Sequence, residues 1–152
     1  MLTPAWVLMW IVVWAASAPW RHALLYDAHW TWLLVPPLWT ISLYIYFGGN
    51  RHFTVNQVIG RNELEPERHE PSLVTTGLHS RMRHPLYFGH LCTMLGWTIG
   101  TATIATLALT VFAVLSGIFL IRTEDAELER RFGVSYREYK QRVPAVVPHF
   151  RA

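Results

Sequence analysis

The chain has 152 residues, of which 52% are hydrophobic and 15% are charged. This composition is too apolar for an ordinary soluble protein of that length and indicates a single integral membrane domain, residues 1–152. The formal charge of +3 does not indicate a nucleic-acid-binding protein, because the basic residues flank apolar segments and form no stripe with aromatic side chains. Lipid headgroups are the expected anionic neighbours.

Four apolar segments approach the roughly 20 residues that cross a bilayer core. They predict an all-α polytopic membrane protein with about four transmembrane helices, at residues 2–19, 30–48, 86–100 and 102–121. The second segment contains Pro36 and Pro37, which are expected to kink or break it. A turn around Gly100 and Thr101 is short enough to make the last two segments an antiparallel hairpin.

The distribution of basic residues predicts the topology. Five of the 13 Lys and Arg residues lie in the long polar connection 50–84, seven lie from Arg122 onward, and Arg21 is the remaining one. The positive-inside rule then places this long loop and both termini in the cytoplasm. Residues 53–64 of the loop have a short apolar face that is compatible with an interfacial helix.

A cluster of cations and imidazoles precedes the third apolar segment. Arg81, Arg83 and His84 stand directly before Pro85, and proline is well tolerated in the first turn of a helix, so a helix is expected to begin at or just after Pro85. Its free N–H groups suit a carboxylate or a phosphate.

A second polar cluster, residues 122–125, follows the fourth apolar segment. The hairpin is expected to bring Arg83 and His84 close to Arg122, Glu124 and Asp125. The simpler interpretation is a salt-bridged anchor at the membrane face; the functional one is a pocket for a charged cofactor.

Beyond that cluster, the charged tail is expected to be helical to about Tyr139, with an interruption at Gly133 and an end marked by Pro144 and Pro148.

Several soluble-enzyme patterns are missing from the sequence. The histidines do not have the spacing of a helical zinc motif, and there is no phosphate-binding loop, nucleophile elbow or dinucleotide fingerprint. Cys92, the single cysteine, lies in an apolar run and is interpreted as a packing residue.

At these residues the sequence resembles the isoprenylcysteine carboxyl methyltransferases and, more broadly, the membrane phospholipid methyltransferases. The resemblance covers roughly the C-terminal half. It is carried by Leu-Val-Thr-Thr-Gly at 73–77, Arg-His-Pro-Leu-Tyr-Phe-Gly at 83–89, Arg-Thr-Glu-Asp at 122–125, and Phe132-Gly133, Tyr136, Tyr139 and Val143-Pro144 with Pro148.

The resemblance implies an enzyme that uses S-adenosylmethionine and methylates a lipidic or small hydrophobic acceptor at the cytoplasmic membrane face. The implied cofactor-binding residues are Leu73, Val74, His79, His84, Pro85, Leu86, Tyr87 and Glu124. His79 stands where the family commonly has Tyr. The implied catalytic residues are Arg122 near the acceptor, Glu127 as a competing partner, and Arg83. No metal site is implied.

The expected location is the inner membrane of a prokaryote, and a homodimer that shields the pocket is compatible with so small a helical core. Two other classes stay open. Membrane sterol reductases have a similar C-terminal architecture and would bind NADPH, and a non-catalytic membrane protein would use both clusters only as an anchor.

Overall fold

A computed structural model describes residues 3–20, 22–49 and 73–148. The described part is helical and contains no β-strand beyond an isolated bridge between Leu24 and Thr103. The possible interfacial helix at 53–64 lies outside the described residues, as does most of the polar loop.

Five α-helices follow one another in the part of the chain that the structure describes. They are α1 (Thr3–Ala16), α2 (Val35–Gly49), α3 (Pro85–Thr101), α4 (Ile104–Phe132) and α5 (Val134–Arg142). Short 3₁₀ helices occupy Ala18–Trp20, His29–Leu34 and Gly77–Ser80. Each of the four predicted apolar segments is therefore helical.

One helix in the described part of the chain, Ile104–Phe132, is long and apolar enough to cross a membrane. Helices α1, α2 and α3 have 14, 15 and 17 residues, fewer than the roughly 20 that cross a bilayer core. The prediction of four spans therefore stays a prediction. Helix α4 also continues 11 residues beyond the predicted end at Ile121, so the second polar cluster is the extension of an apolar helix.

The prolines of the second segment lie at the start of α2, in its first turn, where a missing N–H removes no intrahelical hydrogen bond. The 3₁₀ helix His29–Leu34 precedes them, so the segment changes helix type there.

The chain divides into two compact units, the first formed by Met1–Ile41 and His90–Phe119 and the second by Ser42–Gly89 and Leu120–Ala152. In the first unit, Ala102 and Thr103 form the turn between α3 and α4, two residues later than expected. The backbone of residues 23–25 fixes this position, because Leu25 N donates to Ala102 O at 2.6 Å and Ile104 N donates to Ala23 O at 3.0 Å. Ala102 consequently has a φ of 51°, a left-handed conformation that is uncommon outside glycine.

Glycines and threonines pack α3 in the first unit. A Cβ on Gly100 would lie 3.0 Å from Val35 Cγ2 and 3.1 Å from the Trp32 ring, and a Cβ on Gly96 would collide with the Trp39 indole. Thr98 and Thr110 hydroxyls are 2.7 Å apart, which joins α3 to α4. Small residues therefore permit a close approach of the helices in this unit.

The second unit contains the C-terminal part of α4, the break at Gly133 and helix α5. Gly133 has a φ of 56°, which glycine adopts without strain, and it ends α4 as predicted. Helix α5 ends at Arg142, three residues beyond the predicted Tyr139 and two before Pro144. Gly89 packs against Ile45, whose Cγ2 would be 3.3 Å from an added Cβ.

Candidate functional site

The candidate site lies in the second unit, around a buried ion pair. Arg83 precedes α3, and Asp125 lies in the charged part of α4. Arg83 Nη2 donates to Asp125 Oδ2 at 2.8 Å, and each side chain is only 9% exposed. The hairpin thus brings the first and second polar clusters together, as the sequence predicted.

His84 lies between two carboxylates of α4. Its Nε2 is 2.8 Å from Asp125 Oδ1, its Nδ1 is 3.4 Å from Glu124 Oε2, and the side chain is 3% exposed. Two acceptors on opposite sides of the ring favour the imidazolium, in which both nitrogens carry a proton. The Tyr87 ring, in the first turn of α3, packs edge-on against the imidazole at a centroid distance of 5.7 Å.

Helix α5 supplies the other side of the cluster. Tyr136, Tyr139 and Lys140 share one face of this helix because of their spacing of three and four residues. The Tyr136 hydroxyl donates to Asp125 Oδ1, and Lys140 Nζ lies 3.8 Å from Asp125 Oδ2. Asp125 on α4 is thereby contacted by residues from two other segments of the chain, the one before α3 and α5.

The backbone before α3 pairs with the segment after α5. Arg83 N donates to Pro144 O at 2.9 Å and His84 N to Ala145 O at 2.8 Å. Arg83 Nη1 also donates to Val143 O at 2.7 Å and to Lys140 O at 3.1 Å. These bonds hold the backbone of Arg83 and His84 and the guanidinium of Arg83 in position.

A hydrogen bond from α5 also holds the 3₁₀ turn Gly77–Ser80. The Tyr139 hydroxyl donates to His79 O at 2.6 Å, and Gly77 begins the turn with a left-handed φ of 63°. Leu73 and Val74, which precede the turn, are half-buried and lie outside any helix.

The electrostatics of the cluster follow from these contacts. Burial tends to lower the pKa of His84, but hydrogen bonds to Glu124 and Asp125 and their negative charge outweigh it, so the pKa is raised. Burial tends to raise the pKa of Asp125, but hydrogen bonds from Tyr136, His84 and Arg83 lower it overall. The contacts therefore favour a cationic imidazole at His84 beside an anionic Asp125 carboxylate.

The exposure of the two adjacent carboxylates differs. Asp125 is 9% exposed, whereas Glu124 is 49% exposed. Both carboxylate oxygens of Asp125, Oδ1 and Oδ2, have hydrogen-bond partners within the protein. Glu124 keeps part of its carboxylate accessible, at the edge of the cluster and next to His84.

The structure brings four of the predicted site residues into one cluster: Arg83, His84, Tyr87 and Glu124. Pro85 is buried at the start of α3, and Leu86 is 44% exposed. Arg122 is exposed and makes no hydrogen bond or ion pair with the described residues. Glu127 pairs with Arg130 at 2.6 Å on the surface, with 64% and 76% of the side chains exposed, and lies outside the cluster.

Asp125, Tyr136 and Lys140 are not among the site residues predicted from the sequence, although Asp125 was expected near Arg83 and Tyr136 belongs to the residues that carry the resemblance. The sequence feature that could have identified them is a carboxylate in the charged part of α4, followed by two tyrosines three residues apart on α5. Only the direction of α5 after Gly133 makes those residues neighbours of Asp125.

Comparisons with known proteins identify the family. A family model described as phospholipid methyltransferase matches residues 42–135, which include both polar clusters. The chain is 31% identical over 156 residues to protein-S-isoprenylcysteine O-methyltransferase of Homo sapiens, an alignment that covers 90% of this chain and 51% of that protein. No solved structure matches it significantly.

Two other relatives are similar over shorter regions. Protein-S-isoprenylcysteine O-methyltransferase B of Arabidopsis thaliana is 37% identical over 91 residues, 57% of this chain and 44% of that protein. Methanethiol S-methyltransferase 1 of Bradyrhizobium diazoefficiens is 32% identical over 104 residues, 66% of this chain and 33% of that protein. The chain spans about half or less of the length of these relatives. Since the family model matches more than half of its residues, the chain belongs to the phospholipid methyltransferase family of membrane proteins, with isoprenylcysteine O-methyltransferases among its relatives.

Proposed function

We propose that the chain transfers a methyl group from S-adenosylmethionine to a lipidic or small hydrophobic acceptor at the cytoplasmic face of a prokaryotic inner membrane. The observation that carries the proposal is the half-exposed Glu124 carboxylate beside the buried Arg83–Asp125 ion pair and His84, within the residues that the family model matches. The names of the relatives, all three of them methyltransferases, support the same reaction.

The residues fit this methyl donor chemically. The donor is a zwitterion with a sulfonium, so it offers an amine, a carboxylate and a second cationic centre. Glu124 suits the amine, the Tyr87 ring beside it suits a cation, and the free N–H groups at the start of α3 suit the carboxylate. Leu73, Val74, His79, His84, Pro85 and Leu86 are proposed to complete the pocket.

When bound, S-adenosylmethionine supplies a methyl group that its sulfonium makes electrophilic. The protein then has to orient the acceptor and exclude water, which needs positioning more than covalent chemistry. Arg122 is proposed to hold an acceptor carboxylate, with Glu127 as the competing partner for that role. Arg83, with Nη1 and Nη2 both bonded within the protein, is proposed to act on the site by holding its backbone in place.

The names of the relatives suggest two kinds of methyl acceptor. The carboxylate of an S-prenylated cysteine is methylated on oxygen, whereas methanethiol is methylated on sulfur and loses a proton. A thiol acceptor needs a base, and Glu124 is the group that would accept the proton, because His84 is held as an imidazolium. Transfer of a labelled methyl group to a prenylated cysteine, a phospholipid amine and a short alkyl thiol, each offered separately, identifies the acceptor class.

Calorimetry on the detergent-purified chain tests the proposal. S-adenosylmethionine and S-adenosylhomocysteine are expected to bind the wild type and to bind Glu124→Gln and Tyr87→Ala more weakly. Glu138→Gln and Tyr44→Ala are the matched controls, because both side chains are exposed and lie outside the cluster. A folded wild type that binds neither ligand contradicts the proposal, and binding of NADPH instead favours the reductase alternative.

A further inference from the structure

Asp125 is the residue on which the cluster is centred, yet its own position keeps it from a ligand. Oδ1 faces His84 Nε2 at 2.8 Å and the Tyr136 hydroxyl, and Oδ2 faces Arg83 Nη2 at 2.8 Å and Lys140 Nζ at 3.8 Å. Only 9% of the Asp125 side chain is exposed, and both of its carboxylate oxygens already contact donors of the protein. Its action on the site must pass through the residues it holds.

His84 is the residue that transmits this action. Its Nε2 contacts Asp125, and its Nδ1 contacts the accessible carboxylate of Glu124 at 3.4 Å. A proton on Nδ1 would face Glu124 at ion-pair distance, and the second carboxylate at Nε2 stabilises the imidazolium that carries this proton. The other groups close to the ring are Tyr87 on α3 and the neighbouring Arg83, and Lys140 and Tyr136 on α5 reach it only through Asp125.

We propose that Asp125 is a positioning residue, which holds His84 as an imidazolium behind Glu124 and thereby keeps the Glu124 carboxylate oriented for the cationic end of the methyl donor. The inference rests on the proposed function for the identity of that ligand. The effect of Asp125 on His84 does not depend on any ligand, so the two statements are tested separately.

The variants Asp125→Asn and Tyr136→Phe act in opposite ways on the negative charge that Asp125 presents to His84. Asp125→Asn keeps the size of the side chain and removes its charge, so His84 loses one of the two anions that stabilise its protonated form. Tyr136→Phe removes a donor from Asp125 Oδ1, so this oxygen becomes a stronger acceptor for His84 Nε2. Both variants weaken packing, yet only a positioning role makes them move the titration of His84 in opposite directions.

Nitrogen NMR of the full chain, labelled with ¹⁵N-histidine in detergent micelles, measures that titration. His84→Gln identifies the His84 signals among those of the eight histidines. We expect His84 to lose its proton at lower pH in Asp125→Asn and at higher pH in Tyr136→Phe than in the wild type. Glu138→Gln removes an exposed charge from α5 and is expected to leave the titration unchanged.

Calorimetry with S-adenosylhomocysteine measures the second half of the inference. We expect Asp125→Asn to weaken binding by about tenfold or more, the effect typical of a lost hydrogen bond to a charged group. Glu138→Gln is expected to bind as the wild type does. If Asp125→Asn does not fold, the upward shift of the His84 titration in Tyr136→Phe and its absence in Glu138→Gln decide the question.

Two results overturn the inference. One is a His84 titration that is unchanged in both variants or shifts in the same direction in both. The other is a folded Asp125→Asn that binds S-adenosylhomocysteine as tightly as the wild type. A wild type that binds no S-adenosylhomocysteine while its His84 titration responds as expected contradicts the proposed function, and with it the ligand assigned to Glu124, but not the control of His84 by Asp125.

Discussion

Arg83 and Asp125, 42 residues apart in the sequence, form an ion pair of 2.8 Å in which 9% of each side chain is exposed. On the surface of the same unit, Arg130 and Glu127 form a shorter pair of 2.6 Å with 76% and 64% exposure. Distance alone would rank the surface pair first. Burial reverses the order, because removing one partner of a buried pair leaves an uncompensated charge away from water.

Replacing Arg83 by Met is therefore expected to lower the free energy of unfolding by about 3 kcal/mol. Arg130→Met, the matched control, is expected to change it by less than about 1 kcal/mol. Denaturant unfolding of both variants in the same detergent, followed by helical circular dichroism, measures the difference. Equal effects of the two substitutions would show that the buried pair stabilises no more than a surface pair.

The sequence could predict this pair for a physical reason. Two apolar segments joined by a short turn must return the chain to the face that it left, so the polar residues at their outer ends meet. What could not be predicted is which carboxylate is buried. Glu124 and Asp125 are adjacent on α4, and the difference between them arises from α5, whose direction is set by the left-handed φ of 56° at Gly133.

The turn between α3 and α4 shows the same limit. The turn was expected around Gly100 and Thr101, but both residues stay helical, and Gly100 packs against Trp32 and Val35. Ala102 takes the left-handed conformation instead. Its carbonyl accepts a hydrogen bond from the backbone N–H of Leu25. Leu25 is distant in the sequence, so the residues around Ala102 could not predict this contact.

The stability of the protein is expected to depend on pH through His84 and Asp125. The pKa of His84 is raised above 6.5, so its stabilising contribution is complete below pH 6.5 and is lost as the pH rises through the folded-state value. The pKa of Asp125 is lowered below 3.8, so its contribution is complete above pH 3.8 and is lost as the pH falls through the folded-state value.

These two groups together predict a stability maximum between about pH 4 and pH 6.5. The melting temperature of the wild type and of His84→Gln, measured across this range and up to pH 9, provides the check. His84→Gln is expected to be less stable at acidic pH and to lose the decline at alkaline pH that His84 causes. An alkaline decline of the same size in both proteins would assign it to another group.

In the first unit, Gly96 is predicted to be intolerant of a side chain. A Cβ at this position would collide with the Trp39 indole, which packs against Trp97 at a centroid distance of 5.1 Å. Gly96→Ala is expected to lower the free energy of unfolding by about 1–3 kcal/mol, as overpacking does.

Gly48 is the matched control for Gly96, since it also lies in a helix and a Cβ there would be 3.7 Å from the Tyr44 ring, an ordinary contact. Gly48→Ala is expected to be neutral or to stabilise by up to about 1 kcal/mol, because alanine favours the helix. Thermal unfolding of both variants in one detergent distinguishes the sites. A Gly96→Ala variant as stable as Gly48→Ala would contradict the close packing of Trp39.

Tyr139 is predicted to link the stability of α5 to the segment before α3. Its hydroxyl donates to His79 O at 2.6 Å, and the side chain is 4% exposed. Burial raises the pKa of Tyr139 to about 12, so the hydroxyl keeps its proton and remains a donor at every pH used in an assay.

Tyr139→Phe is therefore expected to cost about 1–3 kcal/mol, the penalty for leaving the partly buried His79 carbonyl without this donor. Tyr44→Phe, at a position 67% exposed, is the control and is expected to have little effect. Because the turn that carries His79 belongs to the proposed pocket, Tyr139→Phe should also weaken S-adenosylhomocysteine binding, whereas Tyr44→Phe should not. Loss of stability with unchanged binding would show that Tyr139 supports the fold of this segment without shaping the pocket, and would remove His79 from the proposed set of binding residues.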